Sequence, residues 1–218
     1  MGIDALVFDF DGLLMDTETT SLLVWQHEWA QHGLELDAAT FFAPHGGDMI
    51  EQRYTALAAA VGPGYDRAAS HARRLAHRDS LHAKLELAPG TAAWLDDAAR
   101  LGLRLAIASS SPRDWVSSHL TRVGCLDRFE HLACGDEVSG AKPDPGVYLL
   151  ALRRLGVLAG RAVAFEDTVH GVAAARSAGL RCVAIPHQHA DPARFTAADV
   201  VLRSAADLSL DSVIAAVS

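Results

Sequence analysis

Two hydrophobic rhythms divide the chain. Residues 5–9 open with an unbroken β-prone apolar run that stops at an aspartate, the pattern of a strand covered on both faces. From about residue 15 the apolar positions recur instead at helical spacing. Leu22, Trp25 and Trp29 lie three and four residues apart behind the capping residues Asp16 and Thr17, and Gly33 closes that helix. A second helix carries Ile50, Tyr54, Leu57 and Val61 on one face and ends at Gly62-Pro63-Gly64. The stretch 66–87 is polar. Its His71, His77 and His82 read as solvated helix surface, because their spacing is irregular and few carboxylates accompany them.

After Pro89-Gly90 the pattern changes to apolar runs alternating with helical segments. Strands are predicted at 103–108, 163–165, 182–185 and 200–202, and helices at 92–101, 115–123, 148–155 and 169–178. That alternation predicts an α/β fold, a three-layer, Rossmann-like, mostly parallel sheet formed by residues 1–14 and 89–218. Residues 15–88 then form an all-helical cap domain inserted after the first strand. Open parallel sheets bind ligands at the carboxyl ends of their strands. The cap is expected to lie over those ends as a lid.

Composition narrows the setting. The 218 residues are half apolar, enough for a real core, yet no apolar stretch approaches the ~20 residues of a membrane helix. No secretory signal is visible before residue 5, so a cytoplasmic protein with no membrane partner is expected, and a monomer. A net charge of −8 argues against nucleic acid, which clustered Lys and Arg would grip. A small anionic ligand stays compatible with that charge. Cys125, Cys134 and Cys182 are odd in number and far apart, as free buried thiols would be. Among 19 basic residues only Lys84 and Lys142 are lysines, which directs attention to both, since Lys and Arg differ in shape and donor geometry.

Four polar clusters sit just after apolar strands. Asp9-Phe10-Asp11-Gly12 follows the first, with two acids two residues apart and a glycine that lets the chain turn away. Ser109-Ser110-Ser111 follows the second, with Pro112 at a helix start, where hydroxyls and free amides suit phosphate oxygens. Lys142-Pro143 supplies a cation, and Glu166-Asp167-Thr168 a further acidic pair of the kind that binds magnesium. Taken singly, each cluster is equally a turn, a cap or a surface charge.

Their conjunction, in this order and at strand ends, resembles the haloacid dehalogenase superfamily of phosphohydrolases. The resemblance runs from Ile3 to Val201 and includes Leu87-Ala88-Pro89-Gly90, where that family's cap rejoins the core. The branch it looks most like holds the phosphatases and β-phosphoglucomutases. The resemblance implies a phosphoric monoester hydrolase in which Asp9 attacks phosphorus and becomes an aspartyl phosphate. It implies Asp11 as general acid and base. Ser109, the amide of Ser110 and Lys142 would bind the phosphoryl group. Mg2+ would be held by Asp9, the carbonyl of Asp11 and Asp167, with Glu166 in support through water. The cap residues His45, Gly46, Gly47 and Asp48 would face the leaving group of a small phosphorylated metabolite, such as a sugar or polyol phosphate.

Asp11 disfavours dehalogenation, since the family's dehalogenases lack that acid. Phosphonate hydrolysis is disfavoured too, because the cap's only lysine, Lys84, lies near its return hinge. A phosphomutase of the β-phosphoglucomutase type is the alternative, although the histidine it needs near Ser21 and its cap-loop arginine are missing and Arg53 would have to substitute. A catalytically inactive phosphometabolite-binding protein is a further alternative, from which loss of Asp9, Asp11 or Lys142 would be expected.

Overall fold

The computed structural model describes residues 2–42 and 49–217. Two compact units emerge, one made of Met1–Met15 with Glu86–Ser218 and the other of Asp16–Leu85.

In the first unit six parallel strands pair in the order β3-β2-β1-β4-β5-β6. They are β1 (Ala5–Phe8), β2 (Arg104–Ala108), β3 (His131–Ala133), β4 (Ala162–Glu166), β5 (Arg181–Ala184) and β6 (Val200–Val201). The predicted strands at 103–108 and 163–165 correspond to β2 and β4, which flank β1, and the strand at 131–133 is an addition that the hydrophobic pattern does not announce. Side chains alternate between the faces of a strand, and here the alternation sorts by size. Ala5, Val7, Ala106, Ala108, Ala162, Ala164, Cys182 and Ala184 share one buried cluster with residues of two helices, Gly146–Leu155 and Val169–Ser177. Small strand residues let those helices approach closely. On the opposite face Phe8 stacks on Phe165 with ring centroids 4.6 Å apart, and Trp94 packs 5.0 Å from Phe165.

In the second unit α1 (Thr17–Ala30), α2 (Ala38–Phe42), α3 (Ile50–Val61) and α4 (Arg67–His82) enclose a separate core. Asp16 caps α1 by accepting from the Thr19 amide at 2.9 Å. Leu22, Trp25, Phe41, Tyr54 and Leu57 form the buried cluster. The histidines depart from the expectation of a simply solvated surface. His71 is exposed but bonds the Tyr54 hydroxyl at 2.8 Å, while half-buried His77 stacks on His27 at 3.9 Å.

The first unit's remaining helices are α5 (Thr91–Leu101), α6 (Arg113–Arg122), α7 (Gly146–Leu155), α8 (Val169–Ser177) and α9 (Leu210–Val217). The last lies outside the predicted set and is tied to α5, whose Trp94 indole donates to the Leu208 carbonyl at 2.9 Å. Cys134 and Cys182 are buried free thiols as expected, whereas Cys125 is only half-buried. Among the described residues no helix is long and apolar enough to cross a membrane.

Candidate active site

Parallel strands aim their carboxyl ends at one edge of the sheet, and the polar residues that follow them meet there. The Asp9 amide donates to the Phe165 carbonyl at 2.9 Å, carrying the β1–β4 ladder one residue past the strand and fixing Asp9 beside Glu166. Lys142, on the loop before α7, places its ammonium between the two acids. It pairs with Asp9 Oδ1 and, at 2.5 Å, with Glu166 Oε1. All three side chains are nearly withdrawn from water, with Glu166 at 0 % exposure and Lys142 at 7 %.

Glu166 is held on every side. Its Oε1 also accepts from the Tyr148 hydroxyl at 2.6 Å, and its Oε2 accepts from the Asp167 amide at 3.2 Å and the Thr168 hydroxyl at 3.3 Å. The carboxylate lies beneath the first turn of α8, where Gly171 gives it room. A Cβ on Gly171 would come within 1.9 Å of the Glu166 carboxyl. Because that carboxyl is pinned, Gly171→Ala is expected to lower stability by about 1–3 kcal/mol through overpacking, read as a lower urea midpoint. An unchanged midpoint would mean that Glu166 moves aside freely.

Burial sets the electrostatics. It pushes the Asp9 carboxyl up to about 8, against the pull of the Lys142 ammonium, with the Glu166 charge adding to the rise. Burial acts on Lys142 in the opposite sense, but the Asp9 and Glu166 carboxylates outweigh it and raise its pKa above the usual lysine value. The Tyr148 phenol is raised well above its ordinary value by burial and by the Glu166 charge, so it is a hydrogen-bond donor at neutral pH.

Asp9, Glu166 and Asp167 each offer an oxygen, all within 4.8 Å of one another and all buried. Three carboxylates are hard oxygen donors, the set that suits a small divalent cation such as Mg2+. A second acidic grouping, Cys134, Asp136 and Glu137, is differently engaged. Glu137 is paired with Arg113 and Arg154, and the Arg154 hydrogen bond leads the effects that hold its carboxyl down at about 2.

Asp11 joins the first strand end to the second. Its Oδ2 accepts from the Ser111 hydroxyl at 2.6 Å and its Oδ1 from the Trp115 indole N–H at 3.0 Å. Ser109 is buried, its hydroxyl accepting from the Ser111 amide at 3.0 Å. Ser110 is exposed, and its carbonyl rests against Gly135, where a Cβ would come within 2.0 Å. The third serine of the run, rather than the two expected to bind phosphate, is thus the one bonded to a catalytic candidate.

The sequence profile of the haloacid dehalogenase-like hydrolases matches residues 6–185. The chain belongs to that family. It is 36 % identical over 212 residues to YhcW of Bacillus subtilis (strain 168), a protein provisionally described as a phosphatase, covering 95 % of this chain and 94 % of the relative. Hexitol phosphatase B of Escherichia coli (strain K12) is 31 % identical over 211 residues, covering 94 % of each. Among solved structures, a Thermotoga maritima protein provisionally described as a β-phosphoglucomutase superposes with a TM-score of 0.84 at 26 % identity, covering 97 % of this chain and 98 % of that one.

The haloacid dehalogenase-like core therefore brings Asp9, Lys142, Glu166 and Asp167 together, with Asp11 bound to Ser111 and Trp115. The expected specificity residues His45, Gly46, Gly47 and Asp48 lie outside the described residues. Arg53, weighed as a phosphate ligand for a mutase, has its guanidinium 3.8 Å from the centre of the Phe41 ring in the helical unit. Lys84 is exposed on the turn after α4. Trp115 and Tyr148 are participants that sequence reasoning passed over. Each sits in the first turn of a helix that follows one of the polar clusters, an aromatic with a polar tip where an apolar residue would have served packing alone.

Proposed function

We propose that this chain is a magnesium-dependent phosphatase of small phosphate monoesters, a sugar or polyol phosphate, working through a phosphorylated Asp9. The observation that carries the reading is the buried cluster in which Lys142 bridges Asp9 and Glu166 while Asp167 offers an oxygen within 4.8 Å of an oxygen of each acid. An anion as crowded as a phosphate cannot approach a carboxylate nucleophile unless cations offset the repulsion, and phosphoryl transfer asks mainly for alignment and charge balance.

In this reading an Asp9 carboxylate oxygen attacks phosphorus and the ester P–O bond breaks, while Asp11 gives its proton to the departing alcohol oxygen. Asp11 then takes a proton from water, whose oxygen attacks the same phosphorus. The bond to Asp9 breaks and inorganic phosphate leaves. Ser109, the Ser110 amide and Lys142 hold the transferring group. Asp9, the Asp11 carbonyl and Asp167 would hold magnesium, with Glu166 orienting Lys142; when bound, the ion supplies Lewis acidity and positive charge beside the phosphate. The hexitol phosphatase relative supports a polyol or sugar substrate.

The test is a screen of sugar, polyol and nucleotide monophosphates for phosphate release, run with magnesium and with chelator beside an isomerisation assay on β-glucose 1-phosphate. Magnesium-dependent release from sugar or polyol esters is expected. Isomerisation without net release would instead establish the mutase.

A further inference from the structure

We infer that Trp115 is a positioning residue for the proton carrier Asp11, and that with Ser111 it reserves one carboxylate oxygen for proton transfer. The inference rests on the reading of Asp11 as general acid and base given above. Both Asp11 oxygens are engaged, but by unlike partners: Oδ1 by the indole N–H of Trp115 and Oδ2 by the hydroxyl of Ser111. An indole N–H only donates, so Oδ1 remains an acceptor throughout the cycle. A hydroxyl both donates and accepts, so Ser111 turns to accept when Oδ2 carries the proton and to donate when it does not. Oδ2 is therefore the oxygen that gives its proton to the leaving alcohol and takes one from the attacking water.

The indole is held for this task. Trp115 lies in the first turn of α6, and its ring packs 4.2 Å from that of His119 one turn later. His119 is buried, bonds the Trp115 carbonyl through Nδ1 at 2.9 Å and sits edge-on to Phe10 at 5.9 Å. Phe10 is the residue between the two aspartates. A ladder of rings thus runs from the backbone of the nucleophile loop to the N–H that meets Asp11, which limits the rotamers open to a side chain that would otherwise lose entropy at each turnover.

The experiment uses the full chain with magnesium and rapid-quench measurement of the phosphoryl-enzyme. Two esters are compared, a hexitol phosphate, whose alkoxide must be protonated as it leaves, and p-nitrophenyl phosphate, whose leaving group needs no proton. Trp115→Phe is expected to slow phosphoryl transfer from the hexitol ester by about tenfold, the scale of a hydrogen bond to a charged group, with KM within about twofold. Transfer from the aryl ester should stay near the wild-type rate, while hydrolysis of the intermediate slows for both. In an Asp11→Ala background, Trp115→Phe should add no further loss.

Equal slowing of both esters, a further loss in the Asp11→Ala background, or faster transfer from the hexitol ester would each overturn the inference. Normal turnover of Asp11→Ala alone would refute the parent reading instead. Circular dichroism and melting guard against misfolding, and Ser111→Ala, which removes the other hydrogen bond without disturbing the ring ladder, should show the same ester selectivity.

Discussion

Asp9→Asn is expected to reduce magnesium-dependent phosphate release by about 10,000-fold or more, as loss of a covalent nucleophile does, and yet to leave the metal-free fold at least as stable at neutral pH. The second half follows from burial. The folded Asp9 carboxyl keeps its proton up to about 8, against an unperturbed 3.8. Between those values the folded chain binds a proton that the unfolded chain has released, so this group's contribution to stability is full below about pH 4 and is lost as pH rises through about 8. An amide resembles the protonated acid and has no such slope. In chelator, the variant should gain on the wild type steadily from pH 5 to pH 8 in urea titrations. Magnesium should reverse the order, because an ionised carboxylate holds the cation and an amide does so poorly. Phosphate release within tenfold of wild type would reject Asp9 as nucleophile. A stability difference independent of pH would reject the protonated buried acid.

Much of this is legible in the chain before any coordinates, for a physical reason. Buried parallel strands are apolar on both faces, so β1, β2, β4 and β5 stand out as runs, and the polar residue that ends each run marks the crevice. Asp9, Glu166 and Asp167 are found that way, Lys142 stands out instead as one of only two lysines, and the structure brings the four together. Where the signal is weak the reading falls short. His131–Ala133 is three residues long and begins with a polar side chain, so nothing marks it as a strand. Leu210, Val213 and Val217 have helical spacing but span only eight residues, too few for periodicity to register.

Side-chain partnerships are the other gap. Spacing places Trp115 and Tyr148 on helices but does not say that their polar tips turn back towards Asp11 and Glu166. Glu166 itself reads as an outer support for a cation, whereas its strongest contacts are with Lys142 and Tyr148. Those contacts hold the carboxylate against the lysine. A neighbouring acid in the sequence does not reveal which of two jobs its carboxylate performs.

That division of labour makes Lys142→Met the sharpest test of how the site is balanced. The ammonium is the cation shared by two carboxylates, one fully buried and one nearly so. Removing one partner of a buried ion pair leaves an uncompensated charge, at a cost of about 3–5 kcal/mol. Here part of that cost is escaped by protonation, since Asp9 already holds its proton to about 8 with the lysine present and without it would hold it more tightly. Below about 8 both proteins hold that proton, so their stabilities should fall in parallel with pH; above it the wild type releases the proton while the variant keeps it, so in chelator the loss should widen as pH rises past about 8. Magnesium should restore part of the stability, because a divalent cation beside Asp9 and Asp167 replaces some of the missing charge. Activity should not return with it. A folded, magnesium-loaded variant still slower by about 100-fold or more would show that Lys142 acts on the transferring phosphoryl group as well as on the carboxylates. A variant both stable at pH 8 in chelator and fully active would show that the lysine is dispensable to the site. Lys142→Arg separates charge from shape: a planar guanidinium cannot occupy a slot built for a compact ammonium between two acids, so it should keep the charge and still fail to restore the rate.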